Sequence, residues 1–157
     1  MIRTTSIATR AVLIGTLMMA GATFAQQSDG AAGAYTKAVD GDFDDVAFAL
    51  EQAITNEGLV IDSINYVGEM LARTKGDVGG AKDLYVAANT YNFCSAIVSR
   101  QAMEADIANI QYCPYGVFVY EAVAEPGKIV VGHRMHDGEE MAPVDELLSR
   151  IVNIATE

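Results

Sequence analysis

The sequence predicts an α+β domain in two layers, a mainly antiparallel sheet of about five strands packed against helices. Three observations carry this expectation. First, strand-like runs alternate with stretches of three- and four-residue apolar spacing, in the order strand, helix, strand, short helix, strand, helix, hairpin, helix. Second, Tyr115 to Val123 and Lys128 to Met135 flank Ala124-Glu125-Pro126-Gly127, whose Pro-Gly centre suits a type II turn and so joins two antiparallel strands. Third, the two cysteines, Cys94 and Cys113, bracket the helix that precedes this hairpin.

The first ordered element is a short strand from Tyr35 to Val39, ended by Asp40-Gly41. Asp44 is the expected cap of the helix that follows, with Phe43 and Phe48 as a hydrophobic staple and Val46, Ala47, Leu50, Ala53 and Ile54 on the buried face. Gly58 supplies a left-handed closing residue. Leu59 to Tyr66 is rich in β-branched residues and reads as a strand, and Glu69 to Thr74 as a short helix. Lys75-Gly76-Asp77 and Gly79-Gly80 mark an exposed loop. Leu84 to Phe93 is the third strand. Ser95 opens a helix running to about Asp106, with Ala96, Ile97, Ala102, Met103 and Ile107 on its inner face. Pro143 at a first helical position starts the closing helix, whose stripe is Val144, Leu147, Leu148, Ile151 and Ile154.

Residues 1–25 have the pattern of a secretory signal. Arg3 and Arg10 precede a short apolar run, and Thr23-Phe24-Ala25 ends it with small residues at the cleavage positions. About a dozen apolar residues fall short of the ~20 that span a bilayer, so a cleaved leader is expected rather than an anchor. Residues 26–34 read as a flexible lead-in, and 35–157 as a single domain. The expected location is periplasmic or secreted, with no stable membrane insertion after cleavage. The leader holds two of the ten basic residues and none of the twenty-one acids, so its removal takes the formal charge from −11 to −13. Such a chain repels nucleic acid and anionic surfaces; a basic periplasmic protein is the better-matched partner.

Export also sets the expectation for the cysteines, because an even number in an oxidising compartment points first to a disulfide. A helix from Cys94 to about Asp106 is roughly 18 Å long, and the seven residues back to Cys113 reach about 23 Å when extended. A bond is therefore feasible only if the chain turns back, which also sets the next strand antiparallel to the third. Two alternatives stay open: a thiol pair with a redox or metal role, and unrelated buried cysteines. A thioredoxin-type site would want C-x-x-C, which is absent.

No hydrolase, zinc-protease or nucleotide-binding motif is present, so no catalytic residue is named and no cofactor is required. Asp40, Asp42, Asp44 and Asp45 flank a helix start and suit its dipole. In G-H-R-M-H, strand alternation puts His133 and Met135 on one face and Arg134 and His136 on the other, a poor arrangement for zinc. Cys94, Cys113, His133 and Met135 form a soft-ligand candidate set for copper, while surface or half-buried strand residues are the plainer reading of the histidines. Tyr91, Tyr112, Tyr115 and Tyr120 are candidate lining of a ligand pocket between sheet and helices, although aromatics at such positions more often belong to the core.

Y-N-F-C-S-A with M-E-A-D-I-A-N-I-Q-Y-C-P-Y-G-V-F-V-Y-E resembles the bacterial family catalogued as domain of unknown function 302 (DUF302). The upstream F-D-D-V-x-x-A-L-E-Q-A-I-x-x-x-G-L-V-I and the downstream G-H-R-M are also similar, so the likeness runs from about Val39 to the C-terminus. The resemblance implies a compact α+β fold that often forms a homodimer, and no established reaction. Members with the F-C-S and C-P-Y version tend to be exported. Some family members occur in sulfur-oxidising or respiratory settings, which makes thiol redox or copper and haem handling the alternative function. Many members place proline before the second cysteine; here Cys113 precedes Pro114, so a role attached to the usual cysteine does not transfer.

Overall fold

The computed structural model describes residues 33–157. The expected signal segment and most of the expected lead-in lie outside the described residues. The strands are β1 (Ala34–Asp40), β2 (Ile61–Asn65), β3 (Tyr85–Phe93), β4 (Tyr115–Ala122) and β5 (Lys128–Arg134). The helices are α1 (Phe43–Asn56), α2 (Val67–Thr74), α3 (Ala96–Ala105) and α4 (Ala142–Ala155), with short 3-10 turns over Ile107–Tyr112 and Glu139–Met141. The sheet is antiparallel throughout, in the order β1-β5-β4-β3-β2. This is the expected α+β fold.

Period-two burial along the central strands explains why there are two layers. Tyr115, Val117 and Val119 of β4, with Ile129, Val131 and His133 of β5, are fully covered by helices. Their neighbours Gly116, Phe118 and Tyr120 face the other way and are half-buried. Leu50 and Ile54 of α1 meet Val144, Leu148, Ile151 and Val152 of α4 over the same core. At about 25 cal/mol per Å² of apolar surface, this face holds most of the hydrophobic stabilisation.

Glu125 and Lys128 close the predicted hairpin turn by a backbone bond of 3.2 Å, with Gly127 at φ 79°. β2 pairs only with the second half of β3, from Thr90 to Phe93, and carries a bulge between Ile61 and Ser63. α2 packs on the remainder, with Gly68 so close that a Cβ would lie 2.7 Å from the Ala88 nitrogen.

Four local expectations need correction. Asp42, not Asp44, caps α1: its Oδ1 accepts from the Asp44 and Asp45 nitrogens at 2.9 and 3.4 Å. Phe43 thus falls inside the helix, and Phe48 is 62% exposed, so the two do not form the staple. On α3 only Ala102 is buried; Ile97 and Ile107 are 74% and 83% exposed, because the helix meets the core through Ala102 and Val98. Ile107 to Tyr112 makes the return as a 3-10 helix, well inside the reach of an extended chain. On α4 Ile154 turns outward, and Val152 and Ala155 complete the buried stripe.

Candidate functional site

The chain reversal after α3 brings Cys94 and Cys113 together as a disulfide, with their Cα atoms 6.2 Å apart. It lies where β3 ends and β4 begins, and the two strands pair antiparallel from Phe93–Tyr115 onward, as the reach argument required. Cys94 is exposed and Cys113 half-buried, so the bond is reached by solvent. Asn109, buried in the returning segment, donates its side-chain amide to the Ala102 carbonyl at 2.9 Å and ties this segment to α3.

Beside the disulfide, on the side of the sheet away from the core helices, lies a cleft of about 810 Å³. Thr90, Asn92, Gly116 and Phe118 form its floor from β3 and β4. Tyr112 and Pro114, flanking Cys113, form one wall, and Arg134, Met135 and His136 at the end of β5 form another. The clamp thus fixes the wall that carries Tyr112.

His136 is the most constrained polar side chain here. Its Nδ1–H donates to Asp145 Oδ1 at 2.6 Å, and its backbone N–H donates to Oδ2 of the same carboxylate at 3.1 Å. Asp145 is buried in the first turn of α4, where the helix dipole favours its negative charge. The imidazole is 6% exposed and flanked edge-on by Tyr112 and Tyr115, at centroid distances of 5.0 and 6.2 Å. With Nδ1 protonated, the neutral ring presents a free lone pair at Nε2. Ser99 Oγ is the sole side-chain polar atom among the described residues that is both buried and unpartnered. Nε2 of His136 makes no hydrogen bond within the described residues.

His133 is different. It faces the core, fully buried, with Nδ1–H donating to the Arg134 carbonyl at 2.8 Å and Nε2 accepting from the Ser149 hydroxyl at 2.9 Å. Burial holds its pKa below the ordinary histidine value. Its Nδ1 lies 3.9 Å from Asp145 Oδ1, so both histidines sit around one carboxylate. Strand alternation predicted opposite orientations; β5 stops at Arg134, and beyond it the chain turns His136 back toward α4.

The other sequence-nominated residues separate. Tyr91 and Tyr115 are core residues, and burial pushes the Tyr91 phenol up to about 12. Tyr112 joins the cleft, while Tyr120 stands on the open face, stacked on Phe118 at 6.1 Å. Met135, 42% exposed, lines the cleft; His133 does not. Among the described residues no three His, Cys, Asp or Glu side chains group as a metal site. His136, Asp145 and Arg134 were not nominated from sequence, and only the M-H dipeptide after a strand hinted at them.

A comparison with solved structures finds an uncharacterised conserved DUF302 protein from Bacillus stearothermophilus. The TM-score is 0.63 and the identity 18%, covering 80% of this chain and 99% of that one. The fold is that of a DUF302 protein. At this identity the likeness establishes the architecture and leaves the cysteine pair and cleft as features of this chain. No protein-family profile matches the sequence, and no curated protein does. No helix among the described residues is long and apolar enough to cross a membrane.

Proposed function

We propose that this DUF302-fold protein is an exported binding domain that holds a small ligand in the cleft beside its disulfide, and is not an enzyme. The observation that carries this reading is the buttressed imidazole of His136: a buried carboxylate fixes the ring, and the residue lines a cleft that also holds Arg134 and Tyr112. Arg134 makes no ion pair among the described residues of an otherwise acidic chain. The Cys94–Cys113 bond acts as a staple for the Tyr112 wall. The leader pattern supports a periplasmic or secreted location, where such a bond persists.

Amide-resolved NMR during titration with the small-molecule fraction of the host's periplasm tests the binding reading. Shifts concentrated at Tyr112, Arg134 and His136 are expected; shifts confined to the opposite end of the sheet, or none, count against it. Thiol counting on denatured, aerobically purified protein tests the staple: the expected count is zero, and two free thiols would remove it.

One observation favours a second reading, thiol redox. Cys94 is exposed and immediately precedes Ser95, the N-cap of α3, a helix with neither a capping side chain nor an acid in its first turn. This setting favours a thiolate at Cys94 in a reduced form. Redox titration separates the readings: a midpoint potential below about −300 mV marks a staple, and one well above it an exchangeable bond.

A further inference from the structure

We propose that the cleft takes an amphipathic carboxylate, its acid group at Arg134 and its apolar body along Phe118 and Tyr120. This rests on the cleft being the binding site and names the class of ligand. The cleft continues beyond its own floor. Thr90 and Phe118, which belong to that floor, also line a second cavity of about 310 Å³ on the same open face of the sheet. The walls of this second cavity include Val67, Tyr85, Ala88 and Tyr120, so it is aromatic and aliphatic where the cleft is polar. Strand phase sets the two in line: Gly116, Phe118 and Tyr120 project outward from β4, and Gly132 and Arg134 from β5. From the Gly116 row to the Tyr120 row is about 14 Å at ~3.4 Å per residue.

The side chains differ in kind along this trough. At the apolar end Tyr120 stacks on Phe118 with ring centroids 6.1 Å apart, and Tyr85 meets Tyr120 edge-on at 5.6 Å, so three rings form one surface. Phe118 leans over Gly132, where a Cβ would meet the ring at 2.7 Å, and thereby joins the two ends. At the polar end Arg134 is the sole lysine or arginine lining either cavity. Asp137 is the sole carboxylate there, and the two make no ion pair. By contrast, Lys75, Arg100, Lys128 and Arg150 are each paired with an acid. A chain of net charge −11 repels anions over most of its surface, which makes an unpaired guanidinium a selective place for one. Its planar fork fits a carboxylate through two parallel N–H···O bonds. The aromatic end offers such a ligand only apolar surface, so the body that follows the acid group is apolar.

The test is amide-resolved NMR titration of the whole protein, disulfide intact, with octanoate, and with acetate and 1-octanol as probes of the head and the tail alone. Octanoate is expected to shift Arg134 together with Phe118 and Tyr120, and acetate and octanol to bind at least about tenfold more weakly. From butyrate to octanoate the affinity should rise about two- to fourfold per methylene, the upper value being that of a fully buried group. Arg134→Gln should weaken octanoate about tenfold and leave octanol unchanged, with Arg134→Lys recovering part of the loss. Tyr120→Ser should weaken octanoate and octanol alike. Arg134 is exposed, so its variants, with the three probes on wild type, keep the inference testable should the Tyr120 variant not fold. Octanol binding as tightly as octanoate, or no gain in affinity with chain length, would overturn the proposal. So would a second copy of the chain on this face, seen as shifts at Phe118 and Tyr120 that follow protein concentration and not octanoate. If octanoate does not bind but shifts from the periplasmic fraction still map to Tyr112, Arg134 and His136, the cleft reading stands and the carboxylate assignment falls. If neither octanoate nor that fraction perturbs these residues, both fall.

Discussion

The two faces of the sheet use the same strands for opposite purposes. Along β5, Ile129, Val131 and His133 point into the helix layer and are fully buried; Val130 and Arg134, one step out of phase, look onto the open face with the cleft. One face is committed to packing, and its polar groups are satisfied within the core: His133 by Ser149 and the Arg134 carbonyl, Tyr35 by Asn153 at 2.7 Å. On the other, His136 Nε2 and the Arg134 guanidinium have no hydrogen-bond or ion-pair partner among the described residues. Core packing and the cleft are thus separated by a single residue step along each strand.

Substitution along β5 is the sharpest way to break this comparison. Ile129→Ala should cost about 2–5 kcal/mol in urea unfolding, because it empties a packed site, whereas Val130→Ala should stay within about 1 kcal/mol. Equal costs would mean that the open face is covered in solution. Replacing both cysteines by serine should remove about 3 kcal/mol, the value for a loop of roughly this length. That loss belongs to the clamp between the faces and should leave the helix core intact by circular dichroism.

Gly132 probes the open face from within β5. A Cβ there would meet the Tyr35 carbonyl at 2.5 Å and the Phe118 ring at 2.7 Å, so Gly132→Ala should cost about 1–3 kcal/mol despite adding only a methyl group.

pH separates the two histidines' environments. His133 is buried, with its folded pKa depressed below 6.5, so the unfolded chain binds the proton more readily. Its contribution is fully present above about 6.5 and is lost as pH falls from there toward the depressed folded value. Denaturant midpoints measured from pH 7.5 to 5 should show this decline, and His133→Gln should flatten it. The smallest effect belongs to a surface pair far from both faces' centres. Arg150 holds Glu57 at 2.8 and 3.0 Å and lowers that carboxyl's pKa, yet Arg150→Ala should cost only about 0.5 kcal/mol, because the guanidinium is half exposed.

The layered fold was legible from sequence because its signals are local: period-two strands, the Pro126-Gly127 turn and Pro143 at a helix start. The pairing of β3 with β4 was legible through the cysteines, since the reach of the intervening chain left one direction. The cleft was not. His136 and Asp145 are nine residues apart, and they meet because β5 stops at Arg134 and α4 begins at Ala142, boundaries that strand alternation does not locate. Ile97 and Ile107 misled for a related reason: helical spacing shows which residues share a face, but not whether another element covers it. Tyr91 and Tyr115 were readable either as pocket lining or as the commoner core residues, and the strand phase sends them into the core.

Native mass spectrometry of protein purified under non-denaturing conditions from its host tests the central claim most directly. The account predicts an added mass on the wild-type chain that is released on denaturation, retained by Val130→Ala and absent from His136→Ala. No added mass on any of the three, or the same mass on His136→Ala as on wild type, would contradict it.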